Sequence, residues 1–141
     1  MKILFADDGP NVMRLSGSLL DEPGLELEVV TDGRSFLKAL SDTPKAFGLV
    51  VLGFDLPEIN GSECISFVRN MFIRMPVLVL SGDLGEERLE ELAQLGVRRK
   101  HVLDRSASSG EFGTWVLQAL SELPGSARSG GGEGSRNGSI D

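Results

Sequence analysis

Three short runs of apolar residues constrain the fold of this chain more than any other feature. They lie at Ile3–Ala6, Leu49–Leu52 and Val77–Leu80. An unbroken apolar run of this length indicates a strand that is buried on both faces, as in a parallel sheet between two layers of helices. The segments between the runs have the apolar spacing of helices. The sequence therefore predicts an α/β fold with these three strands at the centre of the sheet.

Two further segments are predicted to form the edge strands of the same sheet. Residues Leu25–Val29 alternate between apolar and acidic side chains, and His101–Asp104 is short and polar at both ends. Polar side chains are typical of edge strands, because one side of such a strand is open to solvent. The prediction is a doubly wound sheet of five strands with helices between them.

Two capping-box patterns mark the predicted starts of the last two helices. Asp83 is followed three residues later by Glu86, and Ser108 is followed in the same way by Glu111. In a capping box the first side chain accepts a hydrogen bond from the backbone of the second residue, and the second side chain returns one. Trp115 belongs to the apolar stripe of the last helix and is predicted to lie in the core.

The composition predicts one domain with a tail. The 141 residues are 40% hydrophobic and 25% charged, which is enough for one core. The predicted domain covers residues 1–123, and residues 124–141 form a flexible Gly/Ser-rich tail or linker. A single cysteine, Cys64, excludes an internal disulfide and indicates a cytoplasmic protein. The net charge of −7 argues against direct contact with nucleic acid or anionic membranes.

Polar residues follow the predicted central strands in a recognisable pattern. Asp7 and Asp8 follow the first strand, Leu56–Gly61 follows the third, and Ser81 follows the fourth. Over about residues 2–123 the chain resembles the receiver domain of bacterial two-component response regulators. The resemblance implies a flavodoxin-like, CheY-like (βα)5 fold whose five-stranded parallel sheet has the strand order 2-1-3-4-5.

The resemblance also implies a phosphorylation site, at which this chain departs from the family pattern. Receivers carry an acidic pair, an aspartate ending the third strand, a hydroxyl after the fourth and a lysine after the fifth; the three carboxylates hold Mg²⁺ and the aspartate is phosphorylated. Asp7 and Asp8 correspond to the acidic pair, and Ser81 corresponds to the hydroxyl. Gly53 stands where the aspartate is expected, and Arg105 stands where the lysine is expected. Glycine offers no nucleophile.

These departures favour an atypical receiver that acts as a phosphorylation-independent protein–protein signalling module in a two-component-type pathway. Such a domain is expected to be no enzyme and to require no cofactor. The alternative is a receiver with residual Mg²⁺-dependent phosphotransfer at Asp55 or Asp7. Asp55 points the same way as Gly53 along a strand, but two residues displace it by about 6.5 Å.

Asp7 and Asp8 are the predicted metal ligands. Without a third carboxylate they would hold Mg²⁺ weakly, because this ion dehydrates reluctantly, and Gly53→Asp is expected to strengthen the binding. Arg105 is predicted to bridge the two carboxylates, with Asp55 as a further partner, because its planar fork matches a carboxylate. The alternative is an exposed arginine that contributes almost nothing to stability.

Two roles are open for Ser81. Its hydroxyl is suited to binding an oxyanion, as the resemblance implies. A serine that only caps the following helix has the same sequence context, because its oxygen then accepts a hydrogen bond from a backbone N–H.

Protein partners are expected to bind the last strand and the helices that flank it. In this chain that surface includes parts of residues 84–95 and 109–123. This expectation comes from the resemblance, since receivers of this kind contact their partners there.

Overall fold

Five strands and five α-helices alternate along the chain in the computed structural model, which describes residues 1–72 and 74–123. The strands are β1 (Lys2–Ala6), β2 (Glu26–Val30), β3 (Leu49–Gly53), β4 (Val77–Ser81) and β5 (Val102–Asp104). The helices are α1 (Gly9–Leu20), α2 (Gly33–Asp42), α3 (Gly61–Met71), α4 (Glu86–Gln94) and α5 (Ser109–Ser121), with a turn of 3₁₀ helix at Arg99–His101. The predicted tail at 124–141 lies outside the described residues.

The strands form one parallel sheet in the order β2-β1-β3-β4-β5. This order confirms the predicted doubly wound α/β fold. Because every strand runs in the same direction, all the carboxyl ends meet at one edge of the sheet. The strand order reverses between β1 and β3, and in folds of this kind a crevice lies at the reversal.

The sheet divides the hydrophobic core into two layers. Leu4 of β1 belongs to the layer that α2, α3 and α4 cover, whereas its neighbour Phe5 belongs to the layer under α1 and α5. The ring of Phe5 stacks on Phe112 of α5 with centroids 5.0 Å apart. Strands β3 and β4 are buried along their whole length. Burial on both faces explains why their sequences show no polar alternation.

Two predicted boundaries, at β5 and α4, are wrong. His101 ends the 3₁₀ helix, so β5 begins at Val102. The predicted capping box at the start of α4 does not form, since Gly85 is the N-cap and Glu86 is the first helical residue. The carboxylate of Asp83 instead accepts a hydrogen bond from the Gly85 N–H at 2.8 Å. It closes a turn before the helix and makes no cap to α4.

The capping box at the start of α5 is confirmed. Ser108 Oγ accepts a hydrogen bond from the Glu111 N–H at 3.1 Å, and Glu111 Oε1 accepts one from the Ser108 N–H at 2.8 Å. Trp115 is only partly buried, although it packs against the core as predicted. Its indole N–H donates to the Lys100 carbonyl oxygen at 3.0 Å, which ties α5 to the segment before β5.

Candidate functional site

Polar residues from four neighbouring strands meet at the carboxyl edge of the sheet. Asp7 and Asp8 follow β1, Gly53 ends β3, Ser81 ends β4 and Arg105 follows β5. These strands lie side by side in the sheet. The structure therefore brings most of the predicted site residues to one place.

The carboxylate of Asp7 is fully buried and has hydrogen-bond donors at both oxygens. Oδ1 accepts from the Asp8 N–H at 2.8 Å and from Arg105 Nη2 at 2.9 Å. Oδ2 accepts from Asn11 Nδ2 at 2.7 Å and from Arg105 Nε at 3.1 Å. A buried carboxylate is costly unless it is paired and hydrogen-bonded. These donors account for a carboxylate at this depth in the fold.

Asp8 connects this group of polar residues to helix α1. Its Oδ1 accepts from the Asn11 N–H at 2.8 Å, which makes Asp8 the N-cap of α1. Its other oxygen contacts Arg105. The Asn11 N–H is the main cause of a lowered pKa for Asp8; burial opposes that shift and Arg105 adds to it. The Asp8 side chain is 42% exposed, so this carboxylate is the more accessible of the two.

Arg105 lies between the two carboxylates, and its side chain is 29% exposed. Hydrogen bonds to Asp7 are the main cause of a raised pKa for Arg105; burial opposes the shift and Asp8 adds to it. The predicted bridge from Arg105 to the acidic pair is therefore present in the structure. The predicted extension to Asp55 is not, because the exposed Asp55 side chain has no hydrogen bond or ion pair with any residue in the described part of the chain.

Arg14 of α1 holds the loop that carries Arg105. Its Nη2 donates to the Arg105 carbonyl oxygen and its Nη1 to that of Ala107, both at 2.6 Å. Its Nε and Nη2 also donate to Asn11 Oδ1, at 3.2 and 2.7 Å. From the sheet side, the Arg105 N–H donates to the Ser81 carbonyl oxygen at 3.1 Å. The loop that presents Arg105 is thus fixed by both α1 and β4.

Gly53 leaves room for the Asp7 carboxylate. A Cβ added at Gly53 would lie 2.5 Å from Asp7 Oδ1, 2.6 Å from its Cγ and 2.9 Å from its Oδ2. Side chains do not tolerate contacts this short, so any larger residue at 53 requires Asp7 to move. The carboxylate of Asp7 therefore occupies the space into which a side chain at residue 53 would extend.

Ser81 is fully buried, and its hydroxyl already has partners. It donates to the Asp83 carbonyl oxygen at 2.6 Å and accepts from Arg88 Nη1 at 3.0 Å. The predicted alternative, that Ser81 caps α4, is wrong because Gly85 is the N-cap. The Arg88 guanidinium also lies 4.0 Å from the centre of the Phe54 ring. Arg88 thus ties α4 to the ends of β3 and β4.

Asn11, Arg14 and Arg88 contribute to this site but were not predicted to do so. For the first two a signal exists, because residues 11 and 14 lie one turn apart on a helix that Asp8 caps. Arg88 carries no such signal. Its spacing from Glu91 is that of an ordinary helical ion pair, which the structure also contains.

A shallow cleft of about 760 Å³ opens over the Arg105 side of the cluster. It is lined by Asp8, Pro10, Asn11, Arg14, Gly82, Asp104, Arg105 and Ser106. Asp7 and Gly53 are buried and do not line it. A molecule in the cleft would therefore meet Arg105 before it met Asp7.

The predicted metal ligands do not form an open magnesium site. Both oxygens of Asp7 and both oxygens of Asp8 accept hydrogen bonds from protein donors. Within residues 1–72 and 74–123, no group of three or more His, Cys, Asp or Glu side chains is placed to hold a metal ion. Mg²⁺ requires near-octahedral oxygen ligation. Weak binding at Asp7 and Asp8 stays a prediction, and in this geometry the ion would have to displace Arg105.

Comparison with known proteins identifies the family. A sequence model of the response regulator receiver domain matches residues 3–101. This chain belongs to the response regulator receiver family. The match runs from β1 to the 3₁₀ helix before β5 and includes Asp7, Gly53 and Ser81.

Curated relatives of this receiver are longer proteins. The alkaline phosphatase synthesis transcriptional regulatory protein SphR of Synechococcus elongatus is 31% identical over 87 residues, covering 57% of this chain and 34% of that protein. The chemotaxis protein CheV1 of Helicobacter pylori is 28% identical over 98 residues, covering 64% and 30%. A protein-glutamate methylesterase/protein-glutamine glutaminase of Treponema denticola is 31% identical over 83 residues, covering 57% and 22%. The chain thus matches about a third or less of each of these relatives.

Solved receiver structures share the fold of this chain. CheY4 of Vibrio cholerae superposes with a TM-score of 0.68 and 27% identity, covering 84% of this chain and 96% of that one. CheY in a CheX–CheY complex from Borrelia burgdorferi gives a TM-score of 0.74 with 16% identity, covering 85% and 89%. Among the described residues of this receiver, no helix has the length and apolar character needed to cross a membrane.

Proposed function

We propose that this chain is an atypical receiver domain that signals through protein–protein contacts, without being phosphorylated, in a two-component-type pathway. The observation that carries the proposal is Gly53 at the end of β3, where the receiver pattern has its phosphoacceptor aspartate. The space for an aspartate side chain is taken by the carboxylate of Asp7. In this proposal the domain has no catalytic step and requires no cofactor.

The other groups of the receiver pattern are committed to contacts within the protein. Arg105, at the position of the family's lysine, donates to Asp7 and Asp8. The hydroxyl of Ser81 is held by Asp83 and Arg88. A phosphoryl group at this edge would therefore find no carboxylate nucleophile at residue 53 and no free hydroxyl at residue 81. This supports signalling without phosphorylation.

The alternative acceptors are poorly suited to phosphotransfer. Asp7 is fully buried with donors on both oxygens, so its attack on a phosphodonor would require the cluster to open. Asp55 is exposed and lies in the loop beyond the end of β3. In the described part of the chain no cationic side chain pairs with Asp55, so no fixed positive charge beside it would stabilise the charge of a transferred phosphoryl group.

We propose that the partner surface consists of β5 and the flanking helices α4 and α5, with the helical parts within residues 84–95 and 109–123. The solved CheX–CheY complex provides a case of a related receiver in contact with a protein. Helix α4 exposes four glutamates at residues 86, 87, 90 and 91, and the chain carries a net charge of −7. Such a surface repels the phosphates of nucleic acids and anionic lipids. The proposed partner is accordingly a protein rather than a nucleic acid or a membrane, and the location that we propose for both is the cytoplasm.

Intact-mass spectrometry after incubation with a small phosphodonor and Mg²⁺ tests this proposal. We expect no phosphate adduct on this chain, because Gly53 provides no nucleophile. A receiver that retains the phosphoacceptor aspartate serves as the positive control under the same conditions, with the spectra taken promptly because aspartyl phosphates hydrolyse.

A stoichiometric adduct would overturn the proposal. Asp55→Asn and Asp7→Asn then locate the acceptor, since the substitution that abolishes the adduct identifies the phosphorylated residue. Either result would establish residual phosphotransfer instead of phosphorylation-independent signalling.

A further inference from the structure

We infer that the guanidinium of Arg105 is a built-in replacement for the divalent cation, and that this domain holds its fold independently of magnesium. The inference rests on the proposed function only in taking Asp7 and Asp8 as the counterparts of the family's acidic pair. It concerns the fold and the cation, whereas the proposed function concerns phosphorylation.

The first support is the occupancy of the acidic pair. Arg105 Nη2 lies 2.9 Å from Asp7 Oδ1 and also contacts Asp8, while Arg105 Nε lies 3.1 Å from Asp7 Oδ2. The remaining donors are the Asp8 N–H, the Asn11 N–H and Asn11 Nδ2. Each oxygen of Asp7 thus accepts at least two hydrogen bonds, and each oxygen of Asp8 accepts one. An Mg²⁺ ion shared by the two carboxylates needs the space between them, which the guanidinium of Arg105 fills.

The second support is the balance of charge. In the receiver pattern, three carboxylates face one divalent ion and one lysine, and these charges cancel. Here Gly53 contributes no carboxylate and Arg105 stands in place of the lysine, so two carboxylates face one guanidinium and a single negative charge is left without any metal. Asp7 is fully buried and Asp8 is partly exposed, and the excess charge is therefore best tolerated at Asp8, where water screens it. Because the third carboxylate is absent, one fixed cation suffices to neutralise the buried one.

The third support is that neighbouring residues hold the backbone of Arg105 in place. Arg14 binds the carbonyl oxygens of Arg105 and Ala107, and Asn11 links Arg14 to Asp7 through its two amide atoms. A metal ion can leave a site, whereas this cation is covalently part of the chain and its loop is anchored. In the described structure, Arg105 is also the only residue at this edge whose guanidinium contacts both carboxylates.

Gly53 and Arg105 belong to the same arrangement. The carboxylate of Asp7 reaches the Arg105 fork from a position that a Cβ at residue 53 would obstruct, at 2.5 Å from Oδ1. The glycine is therefore more than a missing nucleophile, because it allows the acidic pair to close onto the arginine.

Thermal unfolding of the whole chain with chelator and with millimolar Mg²⁺ tests the inference. The wild-type melting temperature is expected to be the same in both buffers, because a ligand stabilises the native state only as far as it binds it, and Mg²⁺ would have to displace Arg105 from the acidic pair. Arg105→Ala in chelator is expected to melt lower by on the order of 10 °C, since it leaves a buried carboxylate without its cation. Mg²⁺ should recover part of that loss by entering the vacated place.

Arg69→Ala is the matched control. Arg69 is also partly buried, but its guanidinium donates only to carbonyl oxygens in the described structure, those of Met75, Leu95 and Gly96. Its removal should lower the melting temperature with no recovery by Mg²⁺. If Arg105→Ala itself does not fold, Arg105→Lys provides the comparison, because a lysine keeps the charge without the fork and should show a smaller loss with partial recovery.

Two results would overturn the inference: a wild-type melting temperature that rises and saturates with Mg²⁺, or an Arg105 variant with unchanged stability in chelator. Neither depends on whether a phosphodonor modifies the chain, so failure here and failure of the proposed function are separate outcomes.

Discussion

Two arginines at the same edge of the sheet are used in different ways. Arg105 directs its donors at the carboxylates of Asp7 and Asp8, one of them fully buried. Arg88 directs a donor at the neutral hydroxyl of Ser81 and lays its guanidinium 4.0 Å from the centre of the Phe54 ring. The first arginine neutralises charge, and the second covers apolar surface and fixes α4.

Because the two arginines have different partners, removing each of them should destabilise the fold for a different reason. Removing Arg105 leaves a buried charge without its cation, which costs far more than the pair itself contributes. Removing Arg88 leaves Ser81 with its bonds to Asp83 and exposes part of one ring. Asp7, Asp8 and Arg105 form the electrostatic side of the site, which is held together by charge. Ser81, Arg88 and Phe54 form the packing side, which is held together by packing and a neutral hydrogen bond.

The largest expected effect comes from adding a carboxylate to the electrostatic side. Gly53→Asp should lower the free energy of unfolding by about 3–5 kcal/mol in metal-free buffer, because the new side chain displaces Asp7 from Arg105 and repels it. Denaturant unfolding monitored by circular dichroism measures the loss. With three carboxylates at the edge, added Mg²⁺ should recover stability in this variant, in contrast to wild type.

Two controls separate charge from shape in that experiment. Gly53→Ala adds the obstructing Cβ alone and should cost about 1–3 kcal/mol. Gly82→Asp adds the same carboxylate in the loop after β4, where an added Cβ meets no atom within 4 Å, and should change stability by less than about 0.5 kcal/mol. Equal losses at residues 53 and 82 would contradict the close fit of Asp7 against Gly53.

A smaller effect is expected on the packing side. Arg88→Ala should lower the free energy of unfolding by about 1–2 kcal/mol, mainly through one hydrogen bond and one cation–π contact, because the ion pair of Arg88 with the half-exposed Glu91 contributes little. The loss should vary little with salt and should not respond to Mg²⁺. Arg34→Ala is the control, because its ion pair with Glu58 is largely exposed and contributes little. If the loss of stability in Arg88→Ala disappeared in high salt, Arg88 would stabilise the fold mainly through its charge, as Arg105 is expected to do.

The central sheet was the most predictable part of the molecule. Strands β3 and β4 are buried on both faces, and burial on both faces leaves a continuous apolar run whose short length is typical of a strand rather than a helix. The start of α4 was less predictable. Asp83 has the residue type and spacing of a cap, but a turn with Ser81 and Gly85 uses its polar atoms first.

The central residues of the candidate site were predictable, but the residues that surround them and the packing were not. Arg105 was expected to bridge the acidic pair because its chemistry allows it. The position of Asp7 over Gly53 could not be foreseen, because it depends on the contact of β1 with β3 and on the amide of Asn11. Arg88 was missed because its contact with Phe54 joins residues from separate elements, which no local pattern records.

The smallest expected effect separates the two carboxylates of the electrostatic side. Asp8→Asn keeps the N-cap of α1, since asparagine caps as well as aspartate, and removes only a partly exposed charge from Arg105. The expected loss at neutral pH is under about 1 kcal/mol after screening by solvent. The pKa of Asp8 is lowered from 3.8, mainly by the Asn11 N–H, so its charge stabilises the fold above that pH, and this contribution is lost as the pH falls through the lower, folded-state pKa. The difference in unfolding free energy between wild type and Asp8→Asn should therefore shrink in acid, as measured by urea unfolding from neutral pH downwards. A loss as large as that of Arg105→Ala would show instead that Asp8, rather than the buried Asp7, is the principal partner of the arginine.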